Sequence, residues 1–170
     1  MARVLRTALD ALYRLCGAIS AFFLLALLVI ILLQIFARWT GQQFPGSADY
    51  AGYCMAAASF FALAYSLNDG AHIRVSLLLS RFSGQRRRMA EIWCVGVSTF
   101  LSCYFAWYAV KAVQVSRKIH DISQGQDATP MWIPQMAMAI GTVVLAIAFI
   151  DNLVKLLMGR ETVIEDKAIE

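Results

Sequence analysis

The stretch FFLLALLVIILL, residues 22–33, decides which kind of protein this chain forms. It contains twelve apolar residues in succession. A helix of a soluble bundle carries polar residues at helical spacing on the side that faces water, and this stretch carries none. We therefore predict a helix surrounded by lipid, where each backbone polar group must be satisfied within the protein. The mean hydropathy of the whole chain, +0.63, supports a membrane protein.

Four stretches of the chain contain no charged residue, and each has 19 or 23 residues. They cover residues 15–37, 50–68, 92–110 and 128–150. A helix of about 20 apolar residues crosses a hydrocarbon core of about 30 Å. The sequence therefore predicts an all-α membrane protein with four transmembrane helices, which form a single membrane domain over residues 1–170. The spans are expected at about 13–38, 48–68, 89–114 and 131–157.

The distribution of lysine and arginine predicts the orientation of these spans. Eleven of the fifteen basic residues fall in the two tails and in the loop between the second and third spans. Arg38, Lys111, Arg117 and Lys118 are the other four. Because basic loops stay in the cytoplasm, both termini and the loop over residues 69–90 are expected there. This topological role accounts for the net charge of +4, so no nucleic-acid partner is expected.

The loop between the second and third spans has a pattern of its own. Asn68 to Gly70 is a turn signal, and the apolar residues 77–79 then lie between polar residues such as Arg74. This pattern predicts an amphipathic arm over about residues 70–84 that lies in the membrane interface, although an ordinary solvated loop is the alternative. The arginines at 86–88 follow, and we expect them to anchor the third helix among anionic lipid head groups.

Small residues mark the faces on which the helices are expected to pack. Gly52, Ala56 and Ala62 lie in the second span, and Ala137 and Gly141 lie in the fourth. Small residues four positions apart let helix backbones approach closely. These faces must therefore meet each other or another protein.

The sequence shows no sign of catalysis or of a cofactor. Pumps and exchangers usually carry ionisable groups at mid-membrane depth, and the four charge-free runs have none. Both histidines, His72 and His120, fall in loops rather than on helices, which argues against haem ligation. The sequence has no recognisable nucleophile–base pair, metal-ligand cluster or phosphate loop. Gln34 is the prominent polar residue of the first span, and it is expected to bind a neighbouring helix or partner, or to lie near the head groups.

Several local motifs together resemble a known family. The second span is followed by Gly70, His72, Ile73 and Val75 in a G-x-H-I-x-V element. The first span ends at Arg38 and Trp39, and the fourth begins with TPMWIPQ, residues 129–135. With the four-span topology, these motifs resemble the small DctQ-type membrane subunit of tripartite ATP-independent periplasmic (TRAP) transporters, over about residues 12–158. The family often carries W-x-E-E before its second helix, whereas Asp49 is the only acidic residue there in this chain.

The resemblance implies a division of labour among three proteins. A periplasmic binding protein captures an organic acid, often a carboxylate, and a large membrane subunit moves it inward with a sodium or proton gradient. The small subunit would be a non-catalytic scaffold for the large subunit in the bacterial inner membrane, and would form part of the surface on which the binding protein docks. Coupling ions would then belong to the large subunit.

The resemblance also suggests roles for particular residues. His72 would bond the turn after the second helix, and Arg74 with the following arginines would hold the scaffold at a fixed depth. The candidate partner-binding or anchoring residues are Gln34, Arg38, Asp49, His72, Arg74, Arg86, Arg87 and Arg88. Two other classes remain open from the residues alone: a four-helix structural or assembly protein without a transport role, and an intramembrane enzyme or redox subunit.

Overall fold

A computed structural model of the chain describes residues 2–42, 44–68, 85–125 and 128–158. This part of the chain forms four helices, which are α1 (Ala2–Trp39), α2 (Ser47–Asn68), α3 (Gln85–Lys118) and α4 (Trp132–Leu157). All four are long and apolar enough to cross a membrane. The predicted all-α class and the four spanning helices are therefore confirmed. The expected interfacial arm, at about residues 70–84, lies outside the described residues.

The ends of the helices follow from local backbone chemistry. After α1, Gly41 adopts a positive φ of 71°, and the backbone N–H groups of Gly41 and Gln42 donate to the carbonyls of Arg38 and Ala37. This is a Schellman motif, in which a glycine without a Cβ atom allows the left-handed turn. After α3, His120 takes a similar conformation with a φ of 52°. Pro134 lies in the first turn of α4, where its missing N–H costs no helical hydrogen bond.

The helices do not pack in the order in which they follow each other in sequence. α1 packs against α2, α2 against α4, and α4 against α3. α2 and α4 are consequently the inner helices. In their most apolar 18-residue stretches, 28% and 39% of the residues are buried, against 11% in each of the outer helices α1 and α3. We call the end of the bundle that holds the α1–α2 and α3–α4 loops the loop end, and the opposite end the terminal end.

Small residues form part of the seams between the helices. Of the predicted seam residues, Gly141 lies in a seam, whereas Gly52 and Ala56 are exposed. A Cβ atom at Gly141 of α4 would lie 2.8 Å from the backbone of Phe60 in α2. A Cβ atom at Gly17 of α1 would lie 2.8 Å from the ring of Tyr65. Ser20 also donates a hydrogen bond of 2.8 Å from its Oγ to the carbonyl of Ala58. Close contacts at Gly17 and Gly141 therefore hold both α1 and α4 against α2.

The main buried cluster lies toward the terminal end and joins α1, α2 and α4. Its members are Tyr13, Cys16, Phe61, Ala64, Leu67, Val144 and Ala148. Nearby in α4, Lys155 forms an ion pair with Asp151, and the Lys155 side chain is only 11% exposed. The spacing of these two residues predicts such a pair, but a lysine that reaches out to the head groups would be more exposed than this one. The pair is instead packed into the bundle.

Candidate functional site

Two of the candidate residues, Gln34 and Arg38, line one cavity at the loop end. They lie one turn apart near the end of α1, and the cavity between this turn and the start of α2 has a volume of about 450 Å³. Its lining consists of Gln34, Ile35, Ala37, Arg38, Gln42, Phe44, Pro45 and Ser47. Gln34 and Arg38 are both exposed, and Ser47 is buried. The cavity thus presents an amide and a guanidinium to its surroundings.

Asp49 lies in the first turn of α2, where the helix dipole favours a negative charge. Its carboxylate lies against Gly125 of the α3–α4 loop. A Cβ atom at Gly125 would be 2.7 Å from the Cγ of Asp49, which is closer than real Cβ atoms come to other heavy atoms. The Asp49 side chain therefore fills a space that only a glycine leaves open.

The α3–α4 loop is fixed to the start of α2 by further contacts. The Tyr53 hydroxyl donates a hydrogen bond of 2.9 Å to the Oγ of Ser123, which also accepts one of 3.2 Å from the backbone N–H of Gly125. The two ends of the loop pair with each other, since Ser123 N–H donates to the carbonyl of Thr129 at 2.8 Å and Met131 N–H to that of Asp121 at 3.0 Å. The loop end thereby becomes one connected unit.

A second cavity at the loop end lies beside the end of α3. It has a volume of about 310 Å³ and is lined by Arg117, His120, Asp121, Ile122, Pro130 and Trp132. The guanidinium carbon of Arg117 lies 5.8 Å from the centre of the Trp132 ring, within the range of a cation–π contact. Arg117 and His120 are exposed, and Asp121 is half-buried. We call this cavity the Arg117 cleft.

The other candidate residues lie elsewhere. Arg86 and Arg88 are exposed in the first turn of α3, at the terminal end and away from Gln34, Arg38 and Asp49. Arg87 belongs to the same turn of backbone, but its side chain lies outside the described part of the chain, and so do His72 and Arg74. The structure thus places three candidates at the loop end and two at the terminal end.

Sequence reasoning missed the Arg117 cleft and the attachment of the α3–α4 loop. The cleft is assembled from the end of one helix, a loop and the start of the next, and no local motif signals it. The sequence did contain one sign of the cleft, since Lys111, Arg117 and Lys118 lie close together near the end of the third span. The count of basic residues used them only as the minority that does not follow the positive-inside rule. For the loop, Gly125 was a signal, since a glycine far from a tight turn often marks a close approach.

The chemistry of these surfaces suits binding. Among the described residues, no three His, Cys, Asp or Glu side chains come together in a way that could hold a metal ion. Both cavities open at the surface beside exposed cationic groups, and the second one borders the loop that is tied to α2 through Tyr53 and Ser123. Such an arrangement suits contacts to another molecule.

Comparison with known families gives a match over most of the chain. Residues 27–159 match the family described as "Tripartite ATP-independent periplasmic transporters, DctQ component". The matched range covers well over half of the chain and includes the C-terminal part of α1 and all of α2, α3 and α4. No curated protein matches the sequence.

Proposed function

This chain belongs to the DctQ family of TRAP-transporter components, and from that membership we propose that it is the non-catalytic small permease subunit of a secondary-active importer of an organic acid. DctQ components are multi-pass transport proteins and not enzymes, and the family implies a large membrane subunit and a periplasmic binding protein as partners. We propose further that the substrate is a carboxylate, that the chain is a scaffold for the large subunit, and that it forms part of the surface on which the binding protein docks.

The observation that carries the scaffold proposal is the contrast between the two outer helices. α1 and α3 are equally exposed, but their exposed faces differ in chemistry. Between residues 21 and 33 the exposed side chains of α1 are alanine, leucine, isoleucine, valine and phenylalanine only. Lipid tails satisfy such a face fully, because it has no polar group to desolvate. We therefore assign the exposed face of α1 to lipid.

The exposed face of α3 carries a ladder of aromatic side chains instead. The ring centres of Phe100 and Tyr104 are 6.4 Å apart and those of Tyr104 and Tyr108 are 4.7 Å apart. The Lys111 ammonium lies 6.0 Å from the centre of the Tyr108 ring. We call Phe100, Tyr104, Tyr108 and Lys111 the α3 ladder. Its rings are half to two-thirds exposed, so they are available to another molecule.

The hydroxyl groups of this ladder favour a protein neighbour over lipid. Tyr104 lies within one turn of the middle of the charge-free run 92–110, where hydrocarbon would surround it in an isolated chain. Each of the two tyrosines carries an O–H donor, and lipid tails offer no acceptor for it. Leaving a hydroxyl without an acceptor in an apolar environment costs about 1–3 kcal/mol. A helix of the large subunit that offers an acceptor would remove this cost.

The orientation and the membrane are part of the same proposal. The bias of lysine and arginine supports cytoplasmic termini in a bacterial inner membrane, which leaves the loop end in the periplasm. That side is the one from which a periplasmic binding protein approaches. Sodium or proton coupling would belong to the large subunit. His72 and Arg74 keep their proposed role in an interfacial arm, and Arg86, Arg87 and Arg88 keep theirs as anchors to lipid head groups.

Co-purification from the native membrane in a gentle detergent tests the scaffold. We expect the wild-type chain to bring down a large polytopic protein at constant stoichiometry. Replacing Tyr104 and Tyr108 together by leucine should remove most of that partner. Replacing Phe22 and Phe36 by leucine is the matched control, because it makes the same aromatic-to-leucine change on the exposed face of α1.

The outcomes separate the parts of the proposal. A wild-type chain that elutes alone would exclude the scaffold role and favour a four-helix structural protein. Retention of the partner by the Tyr104/Tyr108 variant would show that another face binds it. Thermal-shift measurements of the cognate binding protein against a panel of organic acids test the substrate class, and stabilisation by a non-acidic compound alone would contradict it.

A further inference from the structure

The loop end carries a concentration of positive charge that topology does not explain. Of the four basic residues assigned to the loop end, three fall between Lys111 and Lys118, and all three are exposed. The positive-inside rule favours basic residues on the opposite side. The dipole of α3 stabilises cations in its last turn, which explains why basic residues can lie there. It does not explain why they lie beside a cavity.

The geometry of the Arg117 cleft points to a ligand of defined shape. Arg117 is held beside the Trp132 ring, and His120 lies on the cleft wall. The remaining wall is largely apolar, formed by Ile122, Pro130 and the Trp132 ring. A cation above an apolar floor suits a short aliphatic chain that ends in a carboxylate. The guanidinium of Arg117 can then bind both carboxylate oxygens while the methylene groups of the ligand lie against the rings.

The charge balance of the cleft supports an acidic ligand. Asp121 also lines the cleft and offsets one positive charge. Its carboxylate is half-buried, whereas Arg117, Lys118 and His120 are exposed. The charges of Arg117 and Asp121, which line the cleft, cancel, and the exposed Lys118 next to Arg117 in sequence adds one positive charge. An incoming molecule therefore meets the positive groups first.

The cleft is also held in shape before any ligand arrives. The loop that forms one of its walls is closed by the pairing of Ile122 with Pro130 and is tied to α2 through Tyr53 and Ser123. A binding surface that is already ordered loses less entropy when its partner binds. This rigidity suits a docking site that is used repeatedly and with moderate affinity.

We infer that the Arg117 cleft receives an acidic side chain, glutamate or aspartate, from the surface of the periplasmic binding protein. This inference rests on the proposed function and on the proposed orientation. Charge complementarity and a position at the ends of α3 and α4, next to a loop tied to α2, favour a protein surface over a lipid head group. The charges would also steer the binding protein toward the membrane complex, so the contact should depend strongly on salt.

The test uses the complete membrane complex in nanodiscs and the purified binding protein. At low salt, Arg117→Glu should weaken the affinity for the binding protein by about tenfold or more, and high salt should reduce the difference. Arg117→Lys should retain part of the affinity, because it keeps the charge but loses the planar fork. Lys118→Glu is the matched control, since it makes the same charge reversal at the next, exposed position, which does not line the cleft.

Each other outcome would overturn the inference, and the readouts distinguish it from the proposed function. Unchanged affinity in the Arg117→Glu variant, or an equal loss in Lys118→Glu, would exclude a specific role of the cleft. Reduced uptake at unchanged affinity would assign the cleft to the free anionic substrate. A loss that appears only in nanodiscs with anionic lipid would assign it to head groups. Failure of the wild-type chain to assemble with a large subunit is a separate result, because it contradicts the scaffold role itself.

Discussion

Gly141 shows how a single residue sets the distance between two helices. Its Cα faces the backbone of Phe60, and the carbon, the oxygen and the Cβ of that residue all lie 2.8 Å from the place a Cβ atom would take at position 141. A backbone cannot rotate away as a flexible side chain can. The inner helices α2 and α4 would therefore have to separate to admit even a methyl group.

We predict that Gly141→Ala destabilises the folded chain by about 1–3 kcal/mol, because overpacking a tight seam forces backbone shifts. Gly52→Ala is the matched control, since no heavy atom lies within 4 Å of the Cβ position there. The measurement is the midpoint of thermal unfolding in detergent, detected by size-exclusion chromatography with fluorescence. Equal midpoints for the two variants would contradict the close α2–α4 seam.

At the scale of elements, the sequence predicted the number of helices and that they are long enough to cross a membrane. It did not predict which helices pack against each other. The charge-free runs identify four helices because the cost of burying charge in lipid is large. The small residues of α2 and α4 indicate close packing but carry no label for the partner. Gly52 is an example. Its spacing made it a candidate seam residue, but no atom of another helix lies within 4 Å of where its Cβ would be.

The attachment of the α3–α4 loop to α2 was unpredictable for a related reason. Tyr53 and Ser123 are 70 residues apart and neither belongs to a motif, so only the fold brings their hydroxyls to 2.9 Å. The family resemblance drew attention to Asp49 as an acidic residue. It did not indicate that Asp49 would pack on Gly125. Long-range contacts between ordinary side chains leave no local pattern.

A double-mutant cycle tests this attachment. Tyr53→Phe and Ser123→Ala should each destabilise the chain, and the pair should cost less than the sum because both remove the same hydrogen bond, which contributes about 0.5–1.5 kcal/mol. Tyr50→Phe serves as the control, because it removes a hydroxyl from an exposed tyrosine of the same helix. Additive effects of Tyr53→Phe and Ser123→Ala would argue against the contact.

At the scale of the whole molecule, the shape and the charge pattern together define two unlike ends. The loop end carries two cavities with exposed arginines and a loop that is tied to α2 through Ser123. The terminal end carries the packed Tyr13 cluster, the buried Asp151–Lys155 pair and the exposed Arg86 and Arg88. An oriented component of a vectorial transporter needs this difference, because one partner would approach from one side only.

Labelling of single cysteines checks the orientation. In a background without the four native cysteines, Gln42→Cys and Gln124→Cys should react with an impermeant maleimide in intact cells, because both positions are exposed at the loop end. Ala8→Cys, exposed at the terminal end, should react only after the membrane is permeabilised. The reverse pattern would place the termini in the periplasm and would remove the basis for a binding-protein contact at the Arg117 cleft.

The pairing of helices also has a consequence for biosynthesis. α1 and α2 are neighbours in sequence and in space, as are α3 and α4, so each pair can close as a hairpin soon after its second helix enters the membrane. The α2–α4 seam is different, since it joins the two hairpins and forms only after the last helix has been inserted. Until then α2 exposes the backbone at Phe60 against which Gly141 will pack. The nascent chain therefore passes through a stage with an unfinished seam, at which insertion chaperones or the quality-control proteases of the membrane can distinguish it from the finished subunit.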